Sequence, residues 1–81
     1  MFTPKKSEIT KAVKAAEQTT GVRCEVTGYT YKLEDDPLLD DSFVEFHFEV
    51  CSVLTGRFVA SVSLQAFLPD RRRSWVSRVY A

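Results

Sequence analysis

Residues Phe43 to Leu68 constrain the fold of this chain more than any other stretch. Val44, Phe46, Phe48 and Val50 alternate with Phe43, Glu45, His47 and Glu49. After a break, Phe58, Ala60, Val62, Leu64, Ala66 and Leu68 alternate with Arg57, Val59, Ser61, Ser63, Gln65 and Phe67. A period of two over this length predicts two strands, each with one buried face. Directly opposed residues share a face, so the register follows from the pattern. A two-residue turn would set Val50 against Ser61, apolar against polar. A three-residue loop, Leu54-Thr55-Gly56, pairs Val53 with Arg57, Val50 with Ala60, Phe48 with Val62 and Phe46 with Leu64, and gives Gly56 the left-handed position. That loop is the expectation here.

The rest of the chain supplies a helix and two further strands. Thr3-Pro4 reads as a helix start, with Ser7 as a later cap and Glu8 near the positive end of the dipole. Ile9, Ala12, Val13 and Ala16 line one helical face, and Thr19-Thr20-Gly21 ends it with Gly21 left-handed. Val22 to Leu33 reads as a strand whose apolar parity changes from Val22, Cys24 and Val26 to Tyr29, Tyr31 and Leu33. Gly28 at the change predicts a β-bulge or bend. Glu34 to Ser42 reads as an acidic loop, since charge repulsion and Pro37 oppose regular structure. Leu68-Pro69-Asp70-Arg71 is a turn, and Arg72 to Tyr80 a last strand, with Trp75 and Val79 directed to the core and Val76, Arg78 and Tyr80 outward if it pairs closely.

Eighty-one residues make one domain, residues 1–81, of α+β class. One N-terminal helix packed on a four-stranded antiparallel sheet is the natural way to bury these faces. The element order α-β-β-β-β resembles the cystatin or monellin layout, where a curved sheet wraps one helix. Inhibitory cystatins carry a Gln-Val-x-Ala-Gly type hairpin. The corresponding hairpin here reads Val53-Leu54-Thr55-Gly56-Arg57, so the resemblance implies a layout and no cystatin activity.

A chain this short buries only about 60–65% of its unfolded surface. A single core of this size seldom supplies more than about 3–5 kcal/mol. Cys24 and Cys51 fall on opposite faces, which predicts two reduced thiols and an intracellular, cytoplasmic protein. No run of about 18 apolar residues exists, and Met1 to Lys6 has no apolar signal region. Aromatics at 12% and charge at 27% predict folding rather than disorder.

The net charge of zero is a cancellation. Residues 1–23 balance to +3, residues 24–50 to −7 and residues 51–81 to +4. Such segregation makes local fields that steer charged partners or pair with one another.

No residue set reads as a catalytic or cofactor motif. His47, the one histidine, faces Ser63 across the strands. Glu45 and Glu49 lie about 7 Å away along the strand, too far to grip its ring naturally, and no glycine-rich turn offers an oxyanion hole. His47 and Cys51 are about 13 Å apart, and there is no Cys-x-x-Cys, so no metal site is expected. The acids at 34–36 and 40–41 lack EF-hand spacing. No cofactor is expected, and the chain reads as no enzyme.

What remains is binding. The predicted outer sheet face carries Phe43, His47, Cys51, Val53, Val59, Phe67, Val76 and Tyr80, with Phe43 opposite Phe67 and Cys51 opposite Val59. That face is more apolar than solvent requires. The acidic loop adds a second candidate surface: Asp35, Asp36, Leu38, Leu39, Asp40 and Asp41. Both suit a protein partner, a second copy in a homodimer included, and a role as inhibitor, adaptor or assembly subunit. Domains of this size are common among phage and mobile-element proteins, inhibitors of host defence among them. The alternative is a nucleic-acid module using Arg71, Arg72, Arg73 and the helix lysines, against which the zero net charge weighs.

Overall fold

The computed structural model describes residues 2–36, 38 and 41–81, the side chains of Asp36 and Asp41 excepted. One helix, α1 (Lys6–Thr20), packs on a four-stranded sheet of β1 (Cys24–Asp36), β2 (Asp41–Ser52), β3 (Phe58–Phe67) and β4 (Ser74–Tyr80). The strands lie in the order β1-β2-β3-β4, each antiparallel to its neighbour. The expected fold class is therefore the observed one. Among the described residues, no helix is long and apolar enough to cross a membrane.

The core is where the alternation puts it. Val44, Phe46, Phe48 and Val50 of β2 and Ala60, Val62, Leu64 and Ala66 of β3 are all buried under the helix. Ala12 and Ala16, also fully buried, let α1 lie close over β3 and β4. Ile9 and Val13 pack beside them. Phe46 stacks on Phe48 at 5.8 Å.

The helix starts at neither predicted cap. Lys5 precedes the first turn in an extended conformation and gives its N–H to Glu8 Oε1 at 2.7 Å. The N–H groups of Glu8 and Ile9 both reach the Lys5 carbonyl at 3.0 Å. Glu8 thus does the capping from inside the helix, and it is fully buried. The carboxylate is compensated by Arg71, whose Nε lies 3.4 Å from Glu8 Oε2. Gly21 ends the helix at φ 75°, as expected, with its N–H on the Glu17 carbonyl.

Three bulges interrupt the sheet, and two of them depart from the expected strand geometry. The first was anticipated: the β1–β2 register slips between Val26 and Gly28, and Tyr29, Tyr31 and Leu33 then oppose Phe48, Phe46 and Val44. The second lies beside the β2–β3 turn. Val50 opposes Ala60, but Cys51 opposes Phe58. Ser52 takes over the turn: its N–H reaches the Arg57 carbonyl, its carbonyl accepts from Gly56 N–H at 2.8 Å, and its hydroxyl accepts from Thr55 N–H. The loop is therefore Val53–Gly56, Val53 does not pair with Arg57, and only Gly56 at φ 72° keeps its expected role. Val59 is the extra residue and packs against the core. Phe58, expected inside, is 58% exposed.

The third bulge is in β4. Leu64 opposes Val76 and Ser63 opposes Arg78, so Ser77 is looped out. That insertion lets both Val76 and Val79 meet the core. Trp75, expected inside, turns outward opposite Gln65, and Val76, expected outside, turns in.

The acidic segment is also shorter as a loop than predicted. β1 runs to Asp36 and β2 begins at Asp41, with Glu34 opposite Phe43 and Asp35 opposite Ser42. Charge repulsion is relieved locally: Lys32 pairs with Glu34 at 2.9 Å, and the Ser42 hydroxyl donates to Asp35. Leu38 sits in the turn, 94% exposed. Leu39, Asp40 and the side chains of Asp36 and Asp41 lie outside the described residues.

Candidate functional site

The face of the sheet opposite α1 is covered by no other described element. Antiparallel pairing lines its side chains up in rows across the four strands. The end row is Glu34, Phe43, Phe67 and Arg73, the last joined by the Phe67 N–H to its carbonyl at 2.9 Å. Next come Lys32, Glu45, Gln65 and Trp75, then Thr30, His47, Ser63 and Arg78. Gly28, Glu49, Ser61 and Tyr80 make the fourth row. A trough of about 890 Å³ runs over the last three rows.

The aromatic end is contiguous. Phe43 and Phe67 meet edge-on with centroids 6.5 Å apart, and Phe67 meets Trp75 at 5.0 Å. The Arg73 guanidinium lies over Phe67 at 5.1 Å. Each such aromatic pair is worth about 0.5–1.5 kcal/mol beyond its buried area. Trp75 joins Phe43 and Phe67 here only because of the Ser77 bulge. Sequence parity missed it, since a bulge without glycine leaves no mark.

The centre is a polar relay. Glu45 accepts from Gln65 Nε2 at 2.9 Å, and its other oxygen lies 3.0 Å from His47 Nε2 and 3.5 Å from Lys32 Nζ. His47 Nδ1 meets Ser63 Oγ at 3.0 Å. Glu45 thus does grip the imidazole, contrary to the expectation from spacing; long side chains close the gap that backbone rise predicts. Burial alone would raise the Glu45 pKa, but the Gln65 hydrogen bond and the His47 and Lys32 charges outweigh it and hold the carboxyl below its ordinary value. Lys32 is held above its ordinary value, first by the hydrogen bond and charge of Glu34 and then by Glu45.

A Glu–His–Ser chain has the members of a hydrolase triad. Ser63 nevertheless sits in the middle of an interior strand, where the surrounding backbone N–H groups serve the sheet ladder and are poorly placed to hold an oxyanion. Among the described residues, no group of three or more His, Cys, Asp and Glu is placed to hold a metal ion.

The remaining predicted residues are scattered. Cys51 lies at the far end of the face, its Sγ 3.4 Å from Thr27 Oγ1, beside the exposed Phe58. Val59 has left the face for the core edge, and Val53 sits in the turn. Tyr80 accepts a hydrogen bond from Arg78, whose guanidinium lies over the Tyr80 ring. Cys24 is buried, and both thiols are free.

The arginine run divides. Arg71 turns inward to Glu8, donates to the Thr3 carbonyl at 2.9 Å and lies over the rings of Phe2 and Phe46. Arg72 pairs with Asp70 and Arg73 rests on Phe67. Two lysines are also engaged: Lys5, just before the helix, donates to the Asp70 carbonyl, and Lys11 of the helix to the carbonyl and hydroxyl of Ser74. They tie α1 to the β3–β4 end rather than form a free basic patch.

No protein-family model matches the chain, and no curated protein or solved structure matches it.

Proposed function

We propose that this is a non-enzymatic protein-binding domain that docks its partner on the aromatic end of the outer sheet face. The carrying observation is the contiguous set Phe43, Phe67 and Trp75, set between Glu34 on one flank and Arg73 on the other. Aromatic residues at the centre and charges at the rim are the usual anatomy of an interface. The acidic β1–β2 end, with Leu38 exposed at its turn, extends the same surface. Such a domain serves as an inhibitor, adaptor or assembly subunit; by size alone, an inhibitor of host defence from a phage or mobile element belongs to this class. Two free thiols suit a cytoplasmic protein.

The test is capture of partners from the source cell with the native chain and with Phe43→Ser/Phe67→Ser. At least one partner should be lost with the double variant. Retention of every partner overturns it.

One observation favours nucleic acid as a second reading: Trp75 faces outward beside Arg73 and the exposed Arg72, a stacking ring next to cations. A low-salt gel shift abolished by Arg72→Ala/Arg73→Ala would support it, and no shift at low salt would end it.

A further inference from the structure

We propose that the partner on this face is a second copy of the same chain, related by a twofold axis parallel to the strands and midway between β2 and β3. The inference rests on reading the outer face as a docking surface. Its basis is that the rows complement their own reversal.

A twofold along the strands turns one face onto the other and reverses each row. In the end row, Glu34 then meets Arg73 of the second copy, and Phe43 meets Phe67. In the next, Lys32 meets the ring of Trp75, a cation on an aromatic, and Glu45 meets Gln65. At the far row, Tyr80 meets Gly28 and the Glu49 carboxylate that lies over it, and Glu49 meets Ser61. A twofold across the strands, through the middle of the face, would instead lay the end row on the far row, with Glu34 on Gly28, Phe43 on the Glu49 carboxylate and Arg73 on Tyr80, and so lose both the ion pair and the aromatic contact. The charge pattern selects the first axis.

The two halves also differ in net charge. On this face β1–β2 carries Glu34, Glu45 and Glu49 against Lys32, which is shared between the first two, so two carboxylates are in excess. Among the described residues, Arg73 has no carboxylate partner on its own chain. Each copy therefore supplies what the other lacks.

The face is small. Four strands at about 4.8 Å and four rows at about 7 Å give a footprint of roughly 500 Å². Two such footprints sit near the lower limit for a specific contact, about 1,000 Å² in total. The dimer is accordingly expected in the micromolar range, with the trough over the polar rows water-lined.

Sedimentation equilibrium of the intact chain from about 1 µM to about 1 mM tests this. The mass should rise from 9.2 kDa towards twice that value. Arg73→Glu or Glu34→Arg alone should weaken association at least about tenfold, and Glu34→Arg/Arg73→Glu together should restore it to within about threefold. If circular dichroism shows a charge-reversal variant unfolded, Arg73→Gln and Glu34→Gln replace it, each with a loss of about threefold or more. A constant mass of 9.2 kDa overturns the inference. So does association that ignores the single changes, or a double variant that stays monomeric. A monomeric chain that loses a captured cellular protein on Phe43→Ser/Phe67→Ser would remove the second copy and leave the docking face standing.

Discussion

The two faces of the sheet are built from the same four strands and follow opposite rules. Beneath α1, the eight inward residues of β2 and β3, from Val44 to Val50 and Ala60 to Ala66, are apolar and essentially inaccessible. On the other side, the residues between them run Phe, Glu, His, Glu and Ser, Ser, Gln, Phe. Burial on the inner face is non-directional and additive, so almost any well-packed apolar set would serve. The outer face holds together by specific partners: Glu45 with Gln65, His47 and Lys32, and Arg73 with Phe67. The inner face specifies the fold, and the outer one is free to specify a contact.

The sharpest way to break this contrast is to remove the same kind of residue from each side. Phe46→Ala should cost about 3–5 kcal/mol, because Phe46 is fully buried and packs against Phe48, Tyr29 and Tyr31. A domain this small has about that much to lose. Circular dichroism should show Phe46→Ala largely unfolded near 25 °C, while Phe67→Ser on the outer face keeps a cooperative melt. Equal losses from the two would erase the distinction.

Arg71 joins the two regimes, being a polar contact inside the core side. Its φ of 57° is unusual for a side-chain-bearing residue and costs about 1–2 kcal/mol. From that conformation its guanidinium reaches the fully buried Glu8 carboxylate. Arg71→Met strands the carboxylate and should cost about 3 kcal/mol in urea denaturation. Glu8→Gln/Arg71→Met should recover part of that loss, since the uncompensated charge is gone. No recovery would mean that the pair matters only through packing.

How far the sequence could be read follows from the same contrast. The helix with Gly21 at its end, the bulge at Gly28 and the register of Phe46, Phe48 and Val50 against β3 all rest on apolar period or on glycine, and both leave clear marks. The bulges at Val59 and Ser77 do not. Each arises from tertiary demand: Ser52 closes its own turn, and β4 must place both Val76 and Val79 over the core. A one-residue slip then exchanges Trp75 with Val76 and Phe58 with Val59 between faces. The aromatic end of the site was therefore half legible, through Phe43 and Phe67, and lacked Trp75. The inward turn of Arg71 left no mark either, because three consecutive arginines look alike until the turn sends one of them to Glu8.

The smallest expected effect belongs to the polar relay. Glu45 is held below its ordinary carboxyl value of 4.5 in the folded chain. A depressed folded value means that the charged form stabilises the fold. That stability is fully present above about pH 4.5, and it is lost as pH falls below 4.5 and through the folded value. Glu45→Gln removes this dependence. The variant should be slightly less stable than the native chain at pH 7, and the two melting curves should converge as pH drops well below 4.5. A gap that stays constant across that range would assign the contribution of Glu45 to packing against Gln65 rather than to its charge. A gap that widens on acidification would mean that burial, and not the His47 and Lys32 charges, dominates at this centre.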